Sequence, residues 1–268
     1  MKKIFNLRGG RKLEVGGKTL VMGILNITPD SFSDGGKFFT AEEAVIHAKE
    51  LIADGADIID VGAESTRPNS IPISVREELA RLKKILPAIK DLGAVISIDT
   101  YKPEVATSAL EMGADIINDI RGLEDSRMAK VAKKFDAPVI AMHNEKCSTD
   151  IISEMKKFFR LTAAKNDSLQ IIFDPGIGFG KSSQDDLTIM RQLDALKILD
   201  GEEIPLMIGV SRKSFIGKTM GLSLEDRDEA TGALCVYAIM KGVDIVRVHN
   251  VKMISRMCLA TDKLLKGI

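Results

Sequence analysis

The hexapeptide Gly55-Ala-Asp-Ile-Ile-Asp60 occurs three times in the chain, with small changes. The second copy is Gly113-Ala-Asp-Ile-Ile-Asn118 and the third is Gly242-Val-Asp-Ile-Val-Arg247. Each copy follows a helical pattern, so its glycine fits the C′ position at which a helix ends. The β-branched residues that come next predict a short strand. Three junctions of this kind indicate a chain that is built from repeated βα units.

The remaining strands are apolar runs that alternate with helical patterns. They cover residues 20–25, 93–98, 137–142, 171–173 and 204–208. A helix is predicted from Thr40, which can form a capping box with Glu43. Further helices are predicted over about 74–91 (with a capping box of Ser74 and Glu77), 103–112, 125–135, 150–164, 183–198, 214–220, 226–241 and 252–266. Eight βα units over about 250 residues are typical of a TIM barrel.

The strand composition supports a barrel over an open sheet. The runs are continuously apolar, as expected for parallel strands that are buried on both faces. A doubly wound open sheet would carry a nucleotide-binding fingerprint after its first strand, whereas this chain has Asn26-Ile-Thr-Pro-Asp30 there. Residues 1–20, with Gly9-Gly10 and Gly16-Gly17, predict a small β-hairpin. We therefore expect an α/β protein, a (β/α)8 TIM barrel with an N-terminal β-hairpin, as one domain over 1–268.

The composition excludes several classes of protein. The chain of 268 residues holds 38 basic and 38 acidic residues, so no overall field attracts nucleic acid or an anionic membrane. Its three cysteines are scattered and form neither a disulfide framework nor a zinc motif; they are Cys147, Cys235 and Cys258. No apolar run approaches the length of a membrane span, and the N-terminus lacks a signal-peptide pattern. We expect a cytoplasmic protein with small-molecule partners.

A glycine-rich turn, Asp174-Pro-Gly-Ile-Gly-Phe-Gly-Lys181, follows the strand at 171–173. A Walker A loop would need glycine where Pro175 stands, and the G-x-G-x-G spacing is one residue short of the dinucleotide fingerprint. The glycines instead allow the backbone to come close to a flat ligand. The turn is therefore not interpreted as a phosphate loop.

Polar residues end the predicted strands, where the active site of a TIM barrel lies. Asp99, Asn118 and Asp174 offer carboxylate and amide groups that suit a flat, guanine-like heterocycle with several N–H donors. Lys213 can bind a ring oxygen or nitrogen. Gly209, at the end of the strand that precedes Lys213, is also expected to bind the substrate. Phe179 and Met142 are interpreted as packing on the faces of the ring, with core filling as the alternative.

A second group of residues suits anions. Arg67, Arg247 and His249 are cations that fit a phosphate or pyrophosphate group. Asn26 offers a neutral oxygen of the kind that shares Mg²⁺ with substrate phosphates. The start of the helix at Ser214 can receive a smaller anion such as a carboxylate. We expect solvated, structural roles for Asp30, Asp34 and Glu64, and no role in the site for His47.

Seven motifs together resemble the dihydropteroate synthase family over residues 20–250. They are Asn26-Ile-Thr-Pro-Asp-Ser-Phe-Ser-Asp-Gly-Gly36, Asp60-Val-Gly-Ala-Glu-Ser-Thr-Arg-Pro68, Ser97-Ile-Asp-Thr100, Asn118-Asp-Ile120, Asp174-Pro-Gly-Ile-Gly-Phe-Gly-Lys181, Ser211-Arg-Lys-Ser214 and Arg247-Val-His249.

The resemblance implies a reaction and a set of roles. The family joins 6-hydroxymethyl-7,8-dihydropterin pyrophosphate to p-aminobenzoate and releases pyrophosphate, in folate synthesis. By motif, the pterin ligands would be Asp99, Asn118, Asp174 and Lys213. Arg67, Arg247 and His249, with Thr66 beside them, would bind the pyrophosphate. Asn26 would contact Mg²⁺, and Ser214 would receive the p-aminobenzoate carboxylate. The resemblance also implies a homodimer formed through late helices such as 226–241 and 252–266.

The implied mechanism begins with departure of pyrophosphate, helped by Mg²⁺ and the cations. Asp99 and Asp174 then stabilise the cationic pterin methylene, which the aniline nitrogen attacks; with Lys213 they form the expected catalytic set. Two alternatives stay open. A methyltetrahydrofolate–corrinoid methyltransferase shares the pterin ligands but has no use for the pyrophosphate cations. A non-catalytic pterin-binding paralogue should lack one of the anion ligands, and none is missing from this chain.

Overall fold

The computed structural model describes residues 2–28, 40–65, 70–146 and 150–267. Strands alternate with helices along most of the chain. The elements in order are β1 Lys3–Asn6, β2 Lys12–Val15, β3 Leu20–Asn26, α1 Ala41–Ala53, β4 Ile58–Gly62, α2 Val75–Ile89, β5 Val95–Asp99, α3 Pro103–Met112, β6 Ile116–Asp119, α4 Ser126–Phe135, β7 Val139–Met142, α5 Ile151–Lys165, β8 Ile171–Asp174, α6 Ser183–Arg191, α7 Leu193–Lys197, β9 Ile198–Leu199, β10 Glu202–Glu203, β11 Met207–Ile208, α8 Ser214–Met220, α9 Asp228–Met240, β12 Ile245–Val248 and α10 Val251–Lys266.

Eight parallel strands form a ring, which confirms the predicted barrel. The hydrogen-bonded order is β11-β12-β3-β4-β5-β6-β7-β8, and every pairing in it is parallel. The ring closes between β8 and the segment that leads into β11. Phe173 forms a parallel bridge with Leu206, and its N–H donates to the Pro205 carbonyl at 2.9 Å. Helices surround the ring, and the outward side chains of the strands pack against them in the larger of two apolar cores.

The smaller core fills the lower half of the barrel interior. Seven strands contribute inward apolar residues there, and the N-terminal hairpin β1–β2 packs against them from below with Phe5, Leu7, Leu13 and Val15. The inward residues of the strands are Leu20, Met22, Ile58, Ile116, Ile140, Ile172, Met207 and Ile245, with Val95 partly buried beside them. The predicted hairpin is thus confirmed, and it covers the end of the barrel that lies away from the strand C-termini.

The repeated hexapeptide fixes neighbouring strands at the lower end of the barrel. Its glycines adopt left-handed φ angles of +104°, +117° and +91°, which only glycine adopts without strain. Its internal aspartates accept a hydrogen bond from a backbone N–H of the preceding barrel strand or of the residue just before that strand. Each aspartate also pairs with at least one cation. The contacts are Asp57 with Val21 N and Lys18, Asp115 with Ile96 N and Arg11, and Asp244 with Leu206 N and Lys197.

Two local predictions differ from the structure, and one short antiparallel pair was not predicted. The helix expected over 183–198 is interrupted at Gln192, where φ and ψ are −113° and 24°, and continues as α7. A short antiparallel pair, β9–β10, follows around the turn Asp200-Gly201. At α2, Ser74 accepts from the Glu77 N–H, but the Glu77 carboxylate bonds to Arg81 and does not complete the capping box. The box of Thr40 and Glu43 is confirmed.

In the part of the chain that the structure describes, no helix combines the length and the apolar character that crossing a membrane requires.

Candidate active site

The polar floor of the site lies directly above the apolar half of the barrel. Side chains alternate along a strand, so a residue two positions after an inward apolar residue also points inward. In seven strands this position holds a residue near the C-terminal end of the barrel, which we call the mouth. The residues are Asp60, Ser97, Asn118, Met142, Asp174, Gly209 and Arg247. Two more inward positions, Asn26 and Asp99, lie four residues after Met22 and Val95. The alternation therefore collects polar groups from distant parts of the sequence in the upper part of the barrel interior.

Arg247 connects two carboxylates of this layer. Its Nε donates to Asp60 Oδ2 at 2.6 Å, and its Nη2 donates to Asp99 Oδ2 at 2.8 Å. The same Asp60 oxygen accepts from Asn118 Nδ2 at 3.1 Å. The three hexapeptides end in Asp60, Asn118 and Arg247. The last position, which differs between the copies, therefore supplies three side chains that are joined by hydrogen bonds. The guanidinium that was expected to bind pyrophosphate lies among the residues expected to bind the ring.

Burial shifts the protonation of these groups. Burial raises the pKa of Asp99 to about 7. The repulsion from Asp60 acts in the same direction, and the attraction to Arg247 opposes it only in part. Burial likewise raises the pKa of Asp174 above its usual range. Burial opposes the charge of Arg247 too, but Asp60 and Asp99 hold its pKa above the usual range. The floor thus carries one carboxylate, Asp99, with a pKa of about 7, a second, Asp174, with a raised pKa, and a guanidinium that stays charged.

Asp174 and the glycine-rich turn form one side of the mouth. Asp174 Oδ1 accepts from the Gly176 N–H at 2.8 Å. Gly176 has φ of +66°, and a Cβ there would lie 2.1 Å from the His143 carbonyl oxygen. Lys181 Nζ donates to the carbonyl oxygens of His143, Gly176 and Phe179 at 2.9 to 3.1 Å. This lysine holds the turn together through backbone groups, in keeping with its interpretation as something other than a phosphate loop.

Lys213 faces this turn across the mouth. Its Nζ lies 3.9 Å from the centroid of the Phe179 ring, within the range of a cation–π contact. A Cβ on Gly178 would lie 3.0 Å from Lys213 Cδ, so the glycine gives the lysine its space. Burial, opposed by the nearby Asp174, lowers the pKa of Lys213 to about 8. Lys213 and Phe179 together present a cation beside an aromatic face.

The loops after β11 and β12 lie side by side. Ser211 Oγ and His249 Nδ1 are 2.9 Å apart, and the His249 N–H donates to Ser211 Oγ at 3.1 Å. Between Ser211 and Lys213, Arg212 points away to Asp228 on α9. Ser214, the first residue of α8, is exposed. The contact between Ser211 and His249 therefore joins His249 to the segment that carries Lys213 and Ser214.

The structure places most of the remaining predicted residues at the mouth. Met142 is buried, and a Cβ on Gly176 would lie 3.1 Å from its Cγ. Gly209 lies against Arg247, whose Cβ and Cδ would be 3.9 Å from an added Cβ. Asn26 is half-buried at the top of β3. Thr66 and Arg67 lie outside the described residues, as do Asp30 and Asp34.

One expectation was wrong, and two residues of the floor had been given no specific role from the sequence. Glu64, expected to be solvated, is buried and accepts from Tyr101 Oη, Lys102 Nζ and the Ile73 N–H at 2.6 to 2.9 Å. Its bonds come from residues up to 38 positions away, which the local glycine and proline content did not reveal. Asp60 and Ser97 were not assigned a role, although the two-residue alternation from Ile58 and Val95 places both of them in the floor.

The described residues contain no group of three or more His, Cys, Asp and Glu side chains that could hold a metal ion. Asn26 presents a single amide oxygen, which lies 3.1 Å from the position of a Cβ on Gly62. A lone neutral oxygen fits the mode in which Mg²⁺ keeps several waters and takes its other ligands from substrate phosphates. The donor set does not fit a cage built from protein alone.

The geometry agrees with comparisons to known proteins. A family model described as "Pterin binding enzyme" matches residues 22–249. The dihydropteroate synthase of Bacillus subtilis is 47% identical over 257 residues, which cover 92% of this chain and 89% of that protein. A crystal structure of dihydropteroate synthase from Clostridium difficile in the presence of pteroic acid has a TM-score of 0.88 and 42% identity, covering 94% of this chain and 98% of that one.

Two structures of the Thermus thermophilus enzyme extend the comparison. One is a complex with 4-aminobenzoate and the other a complex with 6HMPPP, with TM-scores of 0.86 and 0.85. Both are 35% identical to this chain and cover 98% of it and 100% of the solved chain. The comparisons confirm the resemblance read from the seven motifs. With its closed barrel, its polar floor and relatives that match nearly its whole length, the chain belongs to the dihydropteroate synthase family.

Proposed function

We propose that this chain condenses 6-hydroxymethyl-7,8-dihydropterin pyrophosphate with p-aminobenzoate, giving 7,8-dihydropteroate and pyrophosphate. The observation that carries the proposal is that Asp99, Asn118, Asp174 and Lys213 lie at or just beyond the C-terminal ends of four strands of one ring, above an apolar core. Relatives that bind 4-aminobenzoate and 6HMPPP support the choice of substrates. Carboxylate acceptors beside a cation suit a flat ring that has N–H donors at one edge and a carbonyl oxygen at another.

In this proposal the four residues hold the pterin ring edge-on. Asp174 and Asp99 accept from ring N–H groups, Asn118 contacts the adjacent edge, and Lys213 donates to the ring oxygen or nitrogen. Met142 and Phe179 pack on the ring, and Gly209 leaves room for it beside Arg247. Lys213 Nζ already lies over the Phe179 ring, so the lysine that donates to the edge of the pterin is held in place by an aromatic face.

The proposed reaction breaks the bond between the pterin methylene carbon and the pyrophosphate oxygen. The electron pair leaves with the pyrophosphate, whose charge is stabilised by Arg247, His249 and, from sequence, Thr66 and Arg67. Asp99 and Asp174 stabilise the positive charge left on the methylene and ring. The neutral aniline nitrogen of p-aminobenzoate then forms the new C–N bond and gives up a proton to solvent, while Ser214 receives the carboxylate.

Asn26 is the residue that would hold Mg²⁺. When bound, the ion would neutralise charge on the leaving pyrophosphate. The requirement is testable by adding a chelator, and Asn26→Ala should raise the Mg²⁺ concentration needed for half-maximal activity.

The direct test is release of pyrophosphate from pterin pyrophosphate by the purified protein. Release should depend on p-aminobenzoate and on Mg²⁺, and mass spectrometry should find dihydropteroate. Asp99→Ala and Lys213→Ala serve as inactive controls and should abolish pterin binding measured by calorimetry. Ring binding without any product would favour the alternative of a non-catalytic pterin-binding protein.

We also propose that the protein is a cytoplasmic homodimer in which 1–268 is one domain. Exposed apolar side chains on α9 and α10 support the dimer, since such a surface on a monomer is costly to hydrate. They are Tyr237, Met240, Leu259, Leu264 and Leu265. Light scattering should give twice the chain mass of 29.2 kDa, and Met240→Glu with Leu259→Glu should give one chain mass.

A further inference from the structure

The buried polar atoms that lack a partner cluster in the upper barrel. In the described ranges four buried side-chain atoms have no hydrogen-bond partner, namely Asp60 Oδ1, Ser97 Oγ, Asp99 Oδ1 and His143 Nδ1. The first three lie on the adjacent strands β4 and β5, where Asp60 is paired in register with Ser97 and Gly62 with Asp99. Leaving such groups unpaired costs stability, so their retention calls for a functional reason.

Asp60 is the centre of this cluster. Its side chain is fully buried, and its Oδ2 accepts from both Arg247 Nε and Asn118 Nδ2. A buried carboxylate with one oxygen unpaired is a poor device for stability, because its desolvation is only partly offset. The internal aspartates of the hexapeptides, at the lower end of the barrel, are different. Each of them accepts a hydrogen bond from a backbone N–H and also forms an ion pair.

The contact with Asp60 determines which way the Asn118 amide faces. An ionised carboxylate can only accept, so the amide nitrogen must point toward Asp60 and the carbonyl oxygen away from it. The same carboxylate holds the Arg247 guanidinium by its Nε, which leaves Nη2 to pair with Asp99. One buried group therefore orients an amide and a cation that the proposed function places at the substrate.

We propose that Asp60 is a positioning residue for the pterin ring, acting through Asn118 and Arg247 without contacting the substrate itself. This inference rests on the proposed function for the identity of the ring. An asparagine at position 60 can donate as well as accept, so the Asn118 amide loses its fixed orientation and Arg247 loses a charged acceptor. Ring binding then weakens while the p-aminobenzoate side of the mouth keeps its geometry.

The test compares Asp60→Asn with a matched control, Asp115→Asn. Asp115 is also a fully buried aspartate bonded to an arginine, but it lies at the lower end of the barrel. In Asp60→Asn, the Kd for 6-hydroxymethyl-7,8-dihydropterin, measured by calorimetry, should rise by about tenfold to a hundredfold, as expected for the loss of hydrogen bonds to a charged group. The KM for pterin pyrophosphate should rise by a similar factor, about tenfold to a hundredfold. The KM for p-aminobenzoate at saturating pterin should stay within twofold.

Asp115→Asn should lower the Tm and leave both KM values unchanged. Asp60→Ser provides a second substitution with the same expected split between the two KM values. In an Asn118→Ala background, Asp60→Asn should have a smaller effect, because the two residues act together.

Two results would overturn the proposal. The first is a folded Asp60→Asn protein whose affinity for the dihydropterin and KM for its pyrophosphate lie within twofold of wild type. The second is failure of both Asp60 variants to fold while Asp115→Asn folds, which would assign Asp60 to stability. If wild type releases no pyrophosphate, the proposed function fails, but the calorimetry on the dihydropterin still decides the role of Asp60.

Discussion

Arg212 makes a two-point ion pair with Asp228, from Nε to Oδ1 at 2.7 Å and from Nη2 to Oδ2 at 2.8 Å. Arg212 has φ of +56°, a left-handed conformation that costs roughly 1 kcal/mol for a residue with a side chain. Asn250 Nδ2 donates to the same Asp228 carboxylate at 3.0 Å. Asp228 on α9 therefore holds the loops after β11 and β12 in the form that places Lys213 and His249.

We expect Asp228→Asn to lower kcat/KM about tenfold, since a neutral acceptor holds a guanidinium less well than a carboxylate does. The Tm should fall by a few degrees. Steady-state kinetics and thermal unfolding measure the two effects. Glu229→Gln, at the exposed neighbouring position, is the control and should match wild type. Unchanged kinetics in Asp228→Asn would show that the Arg212 conformation persists without the ion pair.

The affinity for the pterin ring should fall as the pH rises above about 8. The pKa of Lys213 is lowered to about 8 by burial, so the free enzyme loses this cation in that range. Calorimetric titrations with dihydropterin between pH 6.5 and 9.5 measure the effect. Lys213→Arg should bind more weakly at neutral pH but lose the alkaline fall, because a guanidinium stays protonated. A wild-type affinity that is flat to pH 9.5 would contradict the assignment.

The free energy of unfolding of the ligand-free protein should depend on pH through the protonation of Asp99. Its pKa is raised to about 7 by burial, above the value of 3.8 expected when unfolded, so the folded state binds the extra proton between these values. The stabilising contribution is present below pH 3.8 and is lost as the pH rises through 7, with a slope of up to about 1.4 kcal/mol per pH unit.

Asp99→Asn removes this titration. Urea unfolding of wild type and variant at pH 5, 6, 7 and 8 should show the variant gaining stability relative to wild type as the pH rises. A difference that is independent of pH would mean that Asp99 has the same protonation in the folded and unfolded states. Glu229→Gln again serves as the exposed control.

Lys102 stabilises the base of the segment after β4. Its Nζ donates to Glu64 Oε2 at 2.6 Å, to Glu78 Oε2 at 2.7 Å and to the Ile73 carbonyl at 2.7 Å. Lys102→Met should lower the free energy of unfolding by about 3–5 kcal/mol, since it leaves two buried carboxylates without their cation. Urea unfolding measures the loss. Lys83→Met, on the exposed face of α2, should change it by less than about 0.5 kcal/mol.

The sequence predicted the barrel because its decisive signals are local. A glycine that ends a helix and a run of β-branched residues need no knowledge of distant contacts. The polar layer was also within reach, since it follows from alternation along each strand. The pair β9–β10 was missed although Asp200-Gly201 is a common two-residue hairpin turn; both residues have positive φ angles, +52° and +89°.

What the sequence did not predict depends on contacts between distant residues. Arg247 and Asp60 are 187 positions apart, so no spacing rule shows that a cation expected at the pyrophosphate lies between two carboxylates. Glu64 was expected in solvent because its neighbours suggest a loop, whereas its partners come from β5–α3 and from Ile73. Arg212 belongs to a motif with Ser211 and Lys213, yet its side chain turns to α9. In each case the packing of neighbouring βα units decides the outcome.

The pairing of β12 with β3 has a consequence for how the chain reaches its native form. Leu20 pairs with Ile245, and Thr19 is bonded to Asp262 on α10 at 2.6 and 2.9 Å, so the first barrel strand depends on the last. During synthesis β3 has β4 on one side and an unpaired edge on the other until β12 leaves the ribosome. Such an edge can pair with another chain. The nascent protein is therefore most exposed to misassociation just before its final βα unit appears.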